Sequence, residues 1–129
     1  MNIPTDLKYT EDHEWLKVEG EIGIVGVTDF AQGELGDIVY VEVDTLGETL
    51  AKDEVFGTIE AVKTTSDLLL PVSGEILEFN PLLDENEGDD PELINKDPFG
   101  KGWIIKIKIS DPSEIDELMD AESYKNHIS

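Results

Sequence analysis

The chain contains no cysteine and no arginine. Without cysteine there is no disulfide, no thiolate metal ligand and no catalytic thiol. Without arginine there is no bidentate guanidinium, the usual clamp for phosphate or carboxylate ligands. Cations are scarce altogether: nine lysines stand against thirty-one Asp and Glu, for a formal net charge of −22. Nucleic acid and anionic membrane are poor partners for such a surface, because their phosphates need a cationic face. The acidity serves either solubility in a salt-rich or warm habitat, or steering onto basic patches of partner enzymes. Long apolar runs are also missing, and no stretch approaches the roughly 20 residues needed to span a bilayer. The start, Met1 to Asp6, has neither a signal nor a transit pattern, so a cytoplasmic protein is expected.

What is present suffices for one ordered domain. The 129 residues are 39% hydrophobic and include two Trp, three Tyr and four Phe, enough for a core without covalent staples. Residues 13–19 alternate as a strand, Gly20 supplies a turn, and Ile22–Val27 reads as the hairpin partner. Gly23 and Gly26 suggest a bend or a close backbone approach. Residues 28–36 read as a short helix, with Thr28 as N-cap, Asp29 at the positive end and Gly36 just past the last turn. Ile38–Asp44 alternates with Val39, Val41 and Val43 on one face and Tyr40, Glu42 and Asp44 on the other. Glu75–Phe79 is another short strand. Asn80–Asp97 is mostly loop with a helical turn near Leu93. Trp103–Ile109 alternates strictly, Ile105, Ile107 and Ile109 inward and Lys106 and Lys108 outward. Asp111-Pro112-Ser113-Glu114 starts a helix striped by Ile115, Leu118 and Met119, and Asp120 caps a last one carrying Tyr124 and Ile128. The fold class is mainly β, with short strands at the spacing of sandwiches or barrels.

Familiar chemical motifs fail. Asp84–Asp90 is rich in acids, but a calcium loop starting at Asp84 would need Glu where Asn95 stands, and Gly88 falls one place early. The two histidines, His13 and His127, sit at opposite ends of the chain without an i, i+4 partner. Gly20, Gly23 and Gly26 match neither a dinucleotide fingerprint nor a P-loop. Ser73-Gly74 lies in no nucleophile elbow. No pair among the many carboxylates stands out. A self-sufficient enzyme is not expected.

One stretch is unusual. Lys63 is the only cation between Lys52 and Lys96. It lies between two apolar segments, Val55–Val62 and Leu68–Val72, that read as a hairpin spanning 55–74. At its tip the amine stands in water, Thr64 and Thr65 favour extended backbone, and Ser66-Asp67 can hydrogen-bond the turn. Position alone favours a solvated surface lysine. The isolation of this amine is what makes it addressable by a modifying enzyme.

At these residues the chain resembles a known family. Glu60-Ala61-Val62-Lys63-Thr64-Thr65-Ser66-Asp67, followed by Pro71-Val72-Ser73-Gly74-Glu75, resembles the lipoyl-lysine site of the glycine cleavage system H proteins. The likeness continues in Tyr9–Trp15, Gly26–Gln32, Leu35–Val39, Pro91–Asn95, Gly102–Ile107 and the closing helices. The chain departs from the pattern at Ala61, where the family often has serine, and at Asp53, which replaces a turn glycine. Its acidic loop at Asp84–Asp90 is a few residues longer. The resemblance implies a barrel-sandwich hybrid of small antiparallel sheets, as in lipoyl and biotinyl domains, with a short helix near 29–35 and helices at 112–128. It implies a single, monomeric, non-catalytic carrier over 1–129, with lipoic acid amide-linked to Lys63. Glu60, Ala61, Val62, Ser66 and Asp67 would form the recognition context. Asp67, or more remotely Glu14, would pair with the cationic amine of the loaded arm. The implied partners are a pyridoxal-phosphate glycine decarboxylase, a tetrahydrofolate-dependent aminomethyltransferase, a dihydrolipoyl dehydrogenase and the lipoylation enzymes. The arm would carry the aminomethyl group of glycine from the first to the second. A lipoate-delivery protein for other 2-oxoacid dehydrogenases, a biotinyl carrier domain and a plain acidic interaction domain remain alternatives. Methionines usually flank a biotinyl lysine, whereas Val62 and Thr64 stand here.

Overall fold

The protein's structure, a computed structural model, describes residues 2–129. Strand β1 (Lys8–Tyr9) pairs with β2 (Glu14–Glu19), which pairs with β3 (Ile22–Val27). Helix α1 (Asp29–Leu35) follows, then β4 (Ile38–Glu42), β5 (Thr49–Leu50), β6 (Val55–Ala61), β7 (Thr65–Leu69) and β8 (Gly74–Phe79). Helix α2 (Leu93–Lys96), β9 (Ile105–Ile109), a 3₁₀ helix (Pro112–Glu117) and α3 (Ala121–His127) complete the order. The strands form two antiparallel sheets, one of six strands ordered β1-β2-β3-β9-β8-β5 and one of three ordered β4-β6-β7. Val25, Ile76, Ile105 and Ile107 of the first sheet and Val41, Ile59 and Leu68 of the second share one buried cluster. The fold is mainly β, as the strand spacing predicted, and the sheets face each other without closing into a barrel.

Several elements form for the reasons the sequence suggests. Thr28 caps α1 by accepting from the Ala31 N–H, and the Gly36 N–H closes the helix onto Gln32 O with φ +80°. In β9 the isoleucines are buried while Lys108 is exposed. Asp53 adopts φ +71°, a left-handed conformation that aspartate enters more readily than most residues.

Others differ. In β4, Ile38 and Val41 are buried and Val39 is exposed, because the register against β6 shifts between Ile38 and Tyr40. That irregularity breaks strict alternation. The atoms nearest to where a side chain at Gly26 would begin belong to the Trp15 indole of the paired strand, so glycine makes room for an aromatic ring. The segment after Asp111 is a 3₁₀ rather than an α-helix. Asp111 caps it as expected, but Glu114 does not reach back to close a capping box. Its carboxylate instead accepts from the N–H and Oγ of Ser73, at 2.8 and 3.1 Å, tying the C-terminal segment to the turn before β8. The very short β1 and β5 carry no pattern that would announce them. Among the described residues, no helix is long and apolar enough to cross a membrane.

Candidate functional site

Strands β6 and β7 form the hairpin, with Glu60 opposite Thr65 as its last paired residues. Beyond them Ala61 N–H donates to Thr64 O, leaving Val62 and Lys63 at the apex. Ala61 is buried and anchors the tip, whereas Val62 is 70% exposed. Lys63 and Glu60 are exposed as well. The tip is more constrained than a free hairpin end, because the Val62 N–H donates to Asp37 O at 3.1 Å. Asn95 secures the receiving segment: its amide oxygen accepts from Ile38 N–H, and its NH2 donates to Gln32 Oε1 and Gly36 O. Three segments distant in sequence thus hold the lysine's backbone while its amine stands free. Among the described residues, none of the ion pairs includes Lys63.

Ser66 and Asp67 are strand residues of β7 and not part of the turn. Ser66 is half-buried and Asp67 exposed, and both line a cleft between β7, α1 and the turn before β2. The wall of that cleft contains Glu14. It lies at the end of a turn in which Thr10 N–H donates to Glu14 O and His13 N–H to Thr10 O. His13 takes φ +72° there, a conformation uncommon for a bulky residue and frequent near functional sites. The turn draws Glu14 inward until only 3% of it is exposed.

Burial pushes the Glu14 carboxyl up to about 8 from an ordinary 4.5, opposed by hydrogen bonds from Thr10 and Leu69 and reinforced by Asp12 and Asp53. Between about pH 4.5 and 8 the folded chain keeps a proton that the unfolded chain has released. This group's contribution therefore falls as pH rises, by about 1.4 kcal/mol per pH unit. Glu14→Gln has no such proton, so the variant should melt above the wild type at pH 8, with the gap closing toward pH 4.5. Thermal scans of both proteins across that range check this, and a gap independent of pH would contradict it.

The histidines that lie far apart in sequence meet here. His13 and His127 have ring centroids 5.7 Å apart. Nδ1 of His13 lies 2.9 Å from Tyr124 OH, which is 2.7 Å from Thr28 Oγ1. Burial, then His127, pushes His13 below its ordinary value, which leaves a neutral ring beside Glu14. Sequence spacing could not reveal this cluster, because α3 folds back onto β1 and the turn before β2 only in three dimensions. Among the described residues no group of three or more His, Asp or Glu side chains is arranged to hold a metal ion.

A space of about 340 Å³ beside Lys63 and Val62 is walled by Glu34 and Leu35 at the end of α1. The same two residues wall the cleft of about 150 Å³ that reaches Glu14 and Asp67. Beyond it Asp12, His13, Glu14, Ser66 and Asp67 also line an open space of about 480 Å³. Acids surround the far end, and its lining contains no lysine.

The two-sheet β fold presents an isolated lysine on a hairpin tip. Residues 7–129 match the family model described as glycine cleavage H-protein. A glycine cleavage system H protein of Bacteroides thetaiotaomicron is 60% identical over 97% of this chain and 96% of that protein. One from Bacteroides fragilis is 58% identical over 97% of this chain and 96% of its own length. The crystal structure of a glycine cleavage system H protein from Mycobacterium marinum superimposes with a TM-score of 0.86 at 37% identity, covering 98% of both chains. The chain belongs to the glycine cleavage H-protein family. It is a non-catalytic lipoyl carrier of the glycine cleavage system, and lipoate is its covalent cofactor.

Proposed function

We propose that Lys63 is the lipoyl attachment point, and that the cleft lined by Glu14 and Asp67 receives the loaded end of the arm. The observation that carries this reading is that Glu34 and Leu35 border both the cleft beside Lys63 and the cleft that reaches Glu14 and Asp67. The residues fit the group. Lys63 is an exposed amine outside every ion pair among the described residues, and amide formation removes its charge. A lipoyl group supplies a dithiolane whose sulfurs take up and give up the aminomethyl group of glycine together with electrons.

The chain's own residues do the positioning. Ala61 anchors the tip in the core while Glu60 and Val62, exposed beside Lys63, offer the lipoylation enzymes a recognition surface. Ser66 and Asp67 form the rim of the cleft, and Glu14 its buried end. Held there, a cationic amine gains a carboxylate partner in a site shielded from bulk water, where the attraction is stronger than at the surface. The whole chain acts as one carrier unit in the cytoplasm, a placement consistent with its bacterial relatives. Its partners are a pyridoxal-phosphate decarboxylase, a tetrahydrofolate-dependent aminomethyltransferase, a dihydrolipoyl dehydrogenase and the lipoylation enzymes.

The test is the lifetime of the loaded arm, followed as amine release from isolated protein. Glu14→Gln should shorten it about tenfold, the scale of one hydrogen bond to a charged group. Asp67→Asn, at the exposed rim, should shorten it less. Unchanged lifetimes in both variants would overturn the proposed resting place of the arm.

A further inference from the structure

Glu14 is buried among neutral donors. Thr10 Oγ1 donates to its Oε1 at 2.8 Å and accepts from its backbone N–H at 3.1 Å. Thr10 N–H donates to Glu14 O at 3.0 Å. Three hydrogen bonds therefore join the same two residues across the turn. The other donor to the carboxylate is Leu69 N–H, at 3.4 Å to Oε2, a long contact near the limit of a useful bond. Thr10 is itself buried, at 8% exposure, so water does not readily substitute for its hydroxyl.

The charged and titratable groups around Glu14 come from every neighbouring element. Asp12 and His13 share its turn, Asp53 precedes β6, Asp67 lies on β7, Glu34 on α1 and Tyr124 on α3. Asp12 and Asp53 disfavour a charge on Glu14, and the neutral His13 does not offset them. The Thr10 hydroxyl, the nearer of the two donors to the carboxyl, fixes its direction and favours its ionised form, with the Leu69 N–H as the weaker second donor.

We propose that Thr10 is the positioning residue of the cleft, holding the Glu14 carboxyl in place for the arm's cationic end and setting how readily Glu14 gives up its proton when that cation arrives. This rests on the reading of Glu14 as the partner of the amine. Pairing a protonated amine with a protonated carboxyl requires the carboxyl proton to leave. The Glu14 O–H bond breaks, its electron pair stays on the carboxylate, and the proton passes to solvent. The Thr10 hydrogen bond persists and strengthens, because its acceptor has become an anion. Docking of the amine is thereby linked to the release of a proton.

The experiment is a carboxyl NMR titration of Glu14 in the full-length protein, with the pH profile of the loaded-arm lifetime measured alongside. Wild type, Thr10→Ser, Thr10→Val and Thr10→Ala are compared, the last two both lacking the hydroxyl. Loss of the hydroxyl should raise the Glu14 midpoint by about one pH unit and carry the lifetime profile with it. Thr10→Ser should restore both. If either hydroxyl-free variant folds and titrates at the wild-type midpoint, the role of Thr10 is overturned, whatever the arm does. If the midpoint moves but the lifetime is indifferent to pH and to Glu14→Gln, the docking of the arm at Glu14 is overturned instead.

Discussion

Lys63→Arg should abolish the lipoyl mass increment and reduce reconstituted glycine decarboxylation to the level seen without this protein. Arginine keeps the positive charge and much of the length, but the enzymes that acylate a lysine amine have no such amine to use. The substitution should leave the fold untouched. Lys63 is exposed at the hairpin apex, and the bonds that fix the tip are made by the backbone of Ala61, Val62, Asp37 and Thr64. An unchanged melting temperature with activity at background separates loss of the attachment point from loss of structure. Wild-type activity in Lys63→Arg would place the attachment elsewhere.

The second large effect concerns the strand that carries the lysine. A Cβ on Gly57 would lie 2.4 Å from the backbone oxygen of Glu42 on the paired strand β4, well inside the distance real atoms tolerate. A backbone oxygen cannot swing aside as a side-chain tip can, so β4 and β6 would have to separate, and Ile59 and Val41 lose their close packing. Gly57→Ala is therefore expected to destabilise the protein by about 3 kcal/mol, lowering the melting temperature by about 10 °C. Denaturant unfolding of the purified variant reads this directly. A loss below about 0.5 kcal/mol, the range of a neutral surface change, would contradict the close approach.

The elements legible in the sequence are those whose signals are local. Thr28 and Gly36 delimit α1 because a cap and a left-handed stop act within a single turn. Ile105, Ile107 and Ile109 mark β9 because alternation records one buried face. Lys63 stood out because no other cation lies near it in the sequence. The elements that were not legible depend on partners far along the chain. Val39 turns outward through a register shift against β6, which nothing in residues 38–44 encodes. Glu114 turns away from the start of its own helix because the Ser73 N–H and Oγ donate to its carboxylate. The two acids proposed for the arm show the same division. Asp67 was visible as a neighbour of the lysine, whereas the burial of Glu14 depends on a turn closed by Thr10 and on the packing of β7 and α1 around it.

Peptide mapping by mass spectrometry of protein purified from cells that lipoylate their own proteins should find a lipoyl increment on the peptide containing Lys63 and on none of the other lysines. An unmodified Lys63 in such cells, or an increment on any other lysine, would contradict attachment at Lys63.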